Sequence, residues 1–203
     1  YLVWPLLVAG ETNILFGDQA SGKSLIALYL ATAVSLGLTG LPAGLVVRQS
    51  GPVLLYDWET RLEPQRRRIE RVAAGLRLPR LPDIHYRKPK TSVAHLIPQI
   101  RRDIDRTGAI AVIIDSLGFA CGGDLNTPEV AIPAMNGLGM LDTVTRIVVA
   151  HHGKAGRSGN ERPRLPELLV PIAHRLVMNA PAVPLSMQGL VSGYVRDLKE
   201  AKE

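Results

Sequence analysis

Four short stretches of the chain are apolar at nearly every position: Asn13-Ile14-Leu15-Phe16, Pro52-Val53-Leu54-Leu55-Tyr56, Ala109-Ile110-Ala111-Val112-Ile113-Ile114 and Ile147-Val148-Val149-Ala150. A strand with one wet face alternates apolar and polar residues. A strand covered on both faces does not, so short unbroken apolar runs mark the buried strands of a parallel sheet. The pattern predicts strands at 12–16, 52–57, 109–114 and 145–150, with a shorter one at Ile84-His85-Tyr86. Between them the apolar residues recur at helical spacing. A first helix is expected at 23–35, and a second at 62–74 with Leu62, Ile69, Val72 and Ala73 as its apolar stripe and Gly75 as its cap. A third is expected at 93–106, with Leu96, Ile97, Ile100 and Ile104 on one face and Pro98 weakening its first turns. Thr127-Pro128-Glu129 reads as an N-cap followed by proline at the first helical position, opening a helix that runs to about residue 141. Residues 37–44 and 118–126, rich in glycine, read as loops.

Strand and helix therefore alternate down to residue 150, and the expected fold is α/β: a mostly parallel, doubly wound sheet with helices on both faces. No internal repeat is visible. Beyond Pro163 the pattern fades, because Pro163, Pro166, Pro171, Pro181 and Pro184 interrupt every candidate strand. The expected organisation is a core over 1–163 and an irregular tail over 164–203. The opening run, Tyr1 to Val8, reads as a lead-in segment, with Trp4 placed either in the core or against a nucleotide base.

Chemistry concentrates at the ends of the strands. After the first comes Gly17-Asp18-Gln19-Ala20-Ser21-Gly22-Lys23-Ser24, and then a helix beginning at Leu25. Strand, glycine loop and helix form the context a phosphate-binding loop needs. The glycines let backbone N–H groups turn inward around an anion, and the helix directs its positive dipole end at it. Gly17, Asp18, Gln19, Ala20, Ser21, Gly22, Lys23, Ser24 and Leu25 are the candidate cradle, Lys23 facing the β- and γ-phosphates and the Ser24 hydroxyl suiting Mg²⁺. Asp115 ends an aliphatic strand and is the second candidate Mg²⁺ ligand. Glu59, two residues past its strand, is placed to orient and deprotonate a water, with Asp57 as a rival. His151 and His152 end the last strand at the same edge, where a donor can sense the γ-phosphate. Lys154, Arg157, Arg162 and Arg164 follow, and one of them could act across a subunit boundary. A double histidine also suits a metal, but no third ligand stands at useful spacing.

Charge changes this picture in one respect. The net charge is +6, yet residues 61–106 hold thirteen Lys or Arg against five Asp or Glu, a balance of +8, while the rest of the chain is at −2. The basic excess lies wholly in one middle segment, as a nucleic-acid footprint, a subunit contact or a solvated helix face would require. Aromatic residues make up only 4%, so base-stacking platforms are not evident. No apolar run reaches transmembrane length, and the lone Cys121 gives no disulfide framework, so with a nucleotide site the expected location is the cytoplasm. The chain opens on Tyr1 rather than Met, as expected of a trimmed domain.

Taken in order, the phosphate loop, Asp57-Trp58-Glu59, Ile113-Ile114-Asp115-Ser116 and Val149-Ala150-His151-His152-Gly153-Lys154 resemble the RecA-type P-loop ATPases. Among these they are similar to the RepA-like hexameric replicative helicases of plasmids and phages, a branch of the AAA family ATPases. The resemblance covers about residues 1–163 and implies a RecA-like core that hydrolyses ATP with Mg²⁺ and assembles as a ring, a hexamer, with nucleotide between subunits. It places the catalytic base on Glu59, the acid of the Walker B strand on Asp115 and the sensor on the double histidine, with His152 aligning best. It departs in the tail, where the family's further strands and arginine finger find no counterpart. The leading expectation is ATP hydrolysis coupled to DNA, single-stranded for preference, in a helicase or a replication or recombination motor. Two alternatives stay open: an ATP-binding regulatory module that has lost hydrolysis, and a small-molecule P-loop kinase. The kinase would need an acceptor pocket and an arginine-rich lid, and no clear lid is present.

Overall fold

A computed structural model of the chain describes residues 1–17, 22–125 and 127–151. The apolar runs become four of the strands of a five-stranded parallel sheet. In chain order the strands are β1 (Val3–Trp4), β2 (Thr12–Gly17), β3 (Val46–Val47), β4 (Val53–Asp57), β5 (Ile84–Arg87), β6 (Ala111–Asp115) and β7 (Thr145–His151). The helices are α1 (Lys23–Leu36), α2 (Leu62–Gly75), α3 (Val93–Thr107), α4 (Leu117–Cys121) and α5 (Pro128–Gly139). The main sheet has the order β2-β7-β6-β4-β5, with every pairing parallel.

The period of two decides which face each residue serves. Leu15, Val53, Leu55, Ala111, Ile113, Ile147 and Val149 pack with α1 and with Val72 of α2. Ile14, Leu54, Tyr56, Val112, Ile114, Val148 and Ala150 pack with α3, α4 and α5 on the other face. Alternation is present after all, but both of its phases are buried. The α5 helix lies tight on α3, since a Cβ on Gly137 would come within 3.0 Å of Ile97 Cγ1.

The chain leaves β4 into α2 on one face and leaves β6 into α4 on the other. β4 and β6 are neighbours, so the chain opens a crevice between their C-terminal ends, the place where ligands bind in sheets of this kind.

The opening segment forms a small second sheet, β1 pairing antiparallel with β3, and seals Leu2, Val3 and Leu7 against the α1 face. Trp4 is half-buried, with its ring edge-on to Tyr1 at 4.6 Å.

The structure corrects three local expectations. The expected loop at 118–126 begins instead as α4, which buries Leu117, Ala120 and Cys121 under the sheet before Gly122 stops it at φ 72°. Gly75 is the last residue of α2 rather than its cap, and the left-handed residue that follows is Arg77, at φ 51°. Thr127 holds the N-cap position of α5, but its hydroxyl donates to the Asp124 carbonyl (2.7 Å) instead of accepting a first-turn amide. Pro98 is accommodated inside an unbroken α3. The expected tail at 164–203 lies outside the described residues. No helix among the described residues is long and apolar enough to cross a membrane.

Candidate active site

The site is assembled at the C-terminal edge of the sheet. β2 ends at Gly17, in register with His151 of β7, and α1 starts at Lys23 after Gly22, whose φ of 84° is one that glycine adopts freely. Among the described residues no side chain caps the first turn of α1, and none of its residues is acidic, so its dipole favours an anion there. Lys23 is 2% exposed. Of the candidate cradle, Asp18, Gln19, Ala20 and Ser21 lie outside the described residues, as do His152, Lys154, Arg157, Arg162 and Arg164.

Asp57 and Asp115 end neighbouring strands in direct register, Asp57 opposite Asp115. Parity places both on the α1 side, following Val53 and Leu55 on one strand and Ala111 and Ile113 on the other. Both are buried, and the Ser24 hydroxyl reaches across to donate to Asp115 Oδ1 at 3.1 Å. Hydroxyl of α1 and carboxylate of β6, separated by 91 residues of chain, thus meet at one point.

The two rival carboxylates near β4 do different things. Asp57 Oδ1 accepts the backbone N–H of Glu59 (2.8 Å) and of Thr60 (2.7 Å), tying off the turn that follows the strand. The Trp58 N–H donates to the Asp115 carbonyl at 2.8 Å, which pins the same turn to β6. Glu59 is exposed beyond the turn, and its Oε1 accepts a hydrogen bond from the hydroxyl of Ser116. The outer wall is closed by Tyr86, whose hydroxyl donates to the Thr60 carbonyl at 2.6 Å, and by Lys88, which donates to the Trp58 carbonyl.

The charge balance at this edge is strained. Burial pushes the Asp115 carboxyl up to about 6, and the negative charges of Asp57 and Glu59 push the same way, against the Ser24 hydrogen bond and the positive charge of Arg68. Burial, and then the charge of Asp57, raise the Tyr86 phenol to about 12. Asp57 Oδ2 is buried without a hydrogen-bond partner among the described residues.

Such an edge suits a small divalent cation. Mg²⁺ takes hard oxygen ligands, few of them from protein, and keeps several waters. Ser24 Oγ and Asp115 Oδ1 lie side by side, an unpartnered carboxylate oxygen lies on the next strand, and crowded negative charge is what a cation would relieve. The residues present fit the ion.

The sequence pattern singled out Ser24, Lys23, Asp57, Glu59 and Asp115, and the fold brings all five to one edge. It missed Ser116, Thr60, Tyr86 and Arg68. Only the position of Ser116 directly after Asp115 could have flagged it. Arg68 was hidden among the basic residues of α2, although its guanidinium turns to Thr60 Oγ1 at 3.1 Å and toward Asp115.

Sheet order, helix placement and the sequence Gly17-Asp18-Gln19-Ala20-Ser21-Gly22-Lys23-Ser24, running from the end of β2 into α1, define a RecA-like P-loop fold. The chain belongs to the AAA domain family (AAA_25), whose model matches residues 1–157. No curated protein sequence matches the chain. Among solved structures it is similar to the KaiC-like protein PH0186 from the hyperthermophilic archaeon Pyrococcus horikoshii OT3. The identity is 16% and the TM-score 0.56, over 86% of this chain and 71% of that one. It is also similar to the RadB recombinase, at 16% identity and a TM-score of 0.54, over 80% of this chain and 71% of the other.

Proposed function

We propose that this domain hydrolyses ATP with Mg²⁺ and couples hydrolysis to DNA, as a motor of the RepA-like helicase type or a close relative in replication or recombination. The observation that carries the chemical half is the meeting of Ser24 Oγ and Asp115 Oδ1, 3.1 Å apart, at the N-terminus of an uncapped helix. Support for the DNA half comes from the recombinase among the structural relatives and from the basic segment.

In this reading Lys23 and the first-turn amides of α1 hold the β- and γ-phosphates, and Ser24 and Asp115 hold the metal. Mg²⁺, when bound, neutralises phosphate charge and orients the γ-phosphoryl group for in-line attack. Glu59 takes the proton of the attacking water, and Ser116 keeps its carboxylate aimed. Glu59 is preferred to Asp57 for that role because one Asp57 oxygen accepts the turn amides and the residue is fully buried. His152, with His151 as the second candidate, senses the γ-phosphate. A neighbouring subunit in a ring, a hexamer by family resemblance, completes the site through a basic residue such as Lys154 or Arg157. A general base between turn and phosphate favours water over a metabolite as acceptor, which sets the kinase reading aside.

The test is ATP hydrolysis with and without single-stranded DNA, beside Lys23→Ala and Glu59→Gln. Hydrolysis stimulated by DNA is expected, abolished by the first substitution and lowered about 10²- to 10⁴-fold by the second, the usual worth of a general base. ATP binding without turnover, indifferent to Glu59→Gln, would establish the regulatory module instead.

A further inference from the structure

The thirteen basic residues lie in one sequence segment, 61–106, and the fold distributes them over α2, β5, α3 and their connections, around one edge of the sheet. Among the described residues β5 is the outermost strand at that edge, paired with β4 alone. α2 flanks it on the α1 face and α3 on the opposite face. The connections leading into and out of β5 carry Arg77, Arg80, Lys88 and Lys90 at the two ends of the strand. Basic side chains therefore run as a collar around this edge, from the C-terminal rim of the sheet to its N-terminal rim.

Not all of them are available. Arg87 and Arg106 are bound to Asp103, Arg68 faces the active site, and Arg101 donates to the Met140 carbonyl. Arg66 and Arg67 pair with Glu70 and Glu63 across exposed helical turns, contacts worth little in water. Arg61, Arg71, Arg77, Arg80, Lys90 and Arg102 are exposed and form no ion pair among the described residues.

We infer that this collar is a binding track for the phosphate backbone of a nucleic-acid strand, separate from the nucleotide site. Five of the six free groups are arginines, whose planar fork matches phosphate oxygens. Two observations separate a polyanion from a second copy of the chain as the occupant. Outside the segment the chain is near neutral, at −2, so a copy brings little net negative charge against the +8 of the segment. The edge also lacks a broad apolar patch: Leu62 and Leu81 are its large exposed apolar residues, apart from each other in the chain. With few aromatics nearby, contact should be to backbone rather than bases and insensitive to sequence.

This inference rests on the DNA-coupled reading and is tested apart from it, by fluorescence anisotropy of a labelled single-stranded oligonucleotide over a salt series. Neutralising four phosphates predicts that affinity falls about 50-fold between 50 and 200 mM salt, since each contact on a single strand contributes about −0.7 to the log–log slope. The triple variant Arg71→Gln, Arg80→Gln, Arg102→Gln should bind at least tenfold more weakly at low salt and with a slope smaller by about 2, while its thermal melt and its DNA-free ATP hydrolysis stay those of the parent. Arg48→Gln, an exposed arginine outside the collar, should bind as the parent does. Equal binding by the triple variant would overturn the track and leave DNA coupling standing, with its contacts elsewhere. No binding by the parent at 50 mM salt would overturn both. A triple variant that changes sedimentation behaviour without DNA would show the collar to be a subunit contact and overturn the inference.

Discussion

At the end of β4 the same functional group is put to two uses, and backbone geometry decides which. Asp57 is the last strand residue, so its short side chain folds onto the amides of the turn it begins. Glu59, two residues on, has the longer side chain and an exposed position beyond the turn. Its orientation depends on Ser116, on the neighbouring strand's continuation. A hydrogen bond to a charged group is worth about 1.5–3 kcal/mol, so if Ser116 aims the carboxylate, Ser116→Ala should lower kcat by about tenfold to a hundredfold. KM for ATP should stay within about twofold, because Ser116 touches neither phosphate nor base in this arrangement. Steady-state kinetics separate the two, and an unchanged kcat would remove Ser116 from the mechanism. Sequence pattern could place Glu59 and Asp115 at strand ends but could not choose between Glu59 and Asp57 on contacts. The hydrogen bonds that distinguish the two carboxylates belong to a turn only three residues long, whose geometry leaves no periodic trace.

Among the elements, α3 is held to the sheet by more than its apolar stripe. Asp103, 6% exposed, accepts the Tyr56 hydroxyl at 2.7 Å, Arg87 at 3.0 and 3.3 Å and Arg106 at 2.8 Å. Burial opposes the charge, yet the hydrogen bonds from Arg87 and Tyr56 prevail and hold the carboxyl below its ordinary range, while burial and the bond to Asp103 drive the Tyr56 phenol upward. The sign follows from the depressed value. Between the ordinary carboxylate pKa of about 3.9 and the lower folded one, the unfolded chain binds more protons. Asp103 therefore stabilises the fold fully above about pH 4 and loses that contribution as pH falls through its folded pKa. Asp103→Asn should cost about 2–3 kcal/mol near neutral pH, measured by denaturant unfolding, and should flatten the acid limb of the stability profile. An acid limb identical to the parent's would show that Asp103 carries no such load.

This network was invisible in the sequence, where Tyr56 is one more large residue in an apolar run and Asp103 a polar interruption of a helix. The five parallel strands and four longer helices were legible, the strands chiefly as short unbroken apolar runs and the helices as apolar residues at helical spacing between them. α4 was not, since five residues, one of them Gly118, give no period to read. β1 and β3, at two residues each, exist only because each pairs with the other across some forty residues of chain.

At the scale of the molecule, nucleotide edge and basic collar meet along one side: α2 carries Arg68 toward Asp115 from one of its faces and exposed arginines on another. A nucleic-acid strand bound along the collar would thus bear directly on the helix that flanks the active-site turn, a short physical route for coupling. The chemistry assembled here also has a one-sided character. Lys23, Ser24, Asp115, Glu59 and Ser116 all come from one chain, and in the proposed ring a neighbouring subunit brings a basic group to the same edge. If a neighbour supplies that group, hydrolysis must depend on assembly. Turnover per subunit should then rise with protein concentration through the range where sedimentation shows association, instead of staying constant. Mixing parent with Lys23→Ala subunits sharpens the expectation, because each inactive subunit silences its own site and disturbs the sequence of events in the ring. Activity should fall below the fraction of parent subunits, and at equal proportions well below half. A strictly proportional decline would mean that each domain works alone. The ring would then be abandoned as the working unit, while the site within one subunit would stand.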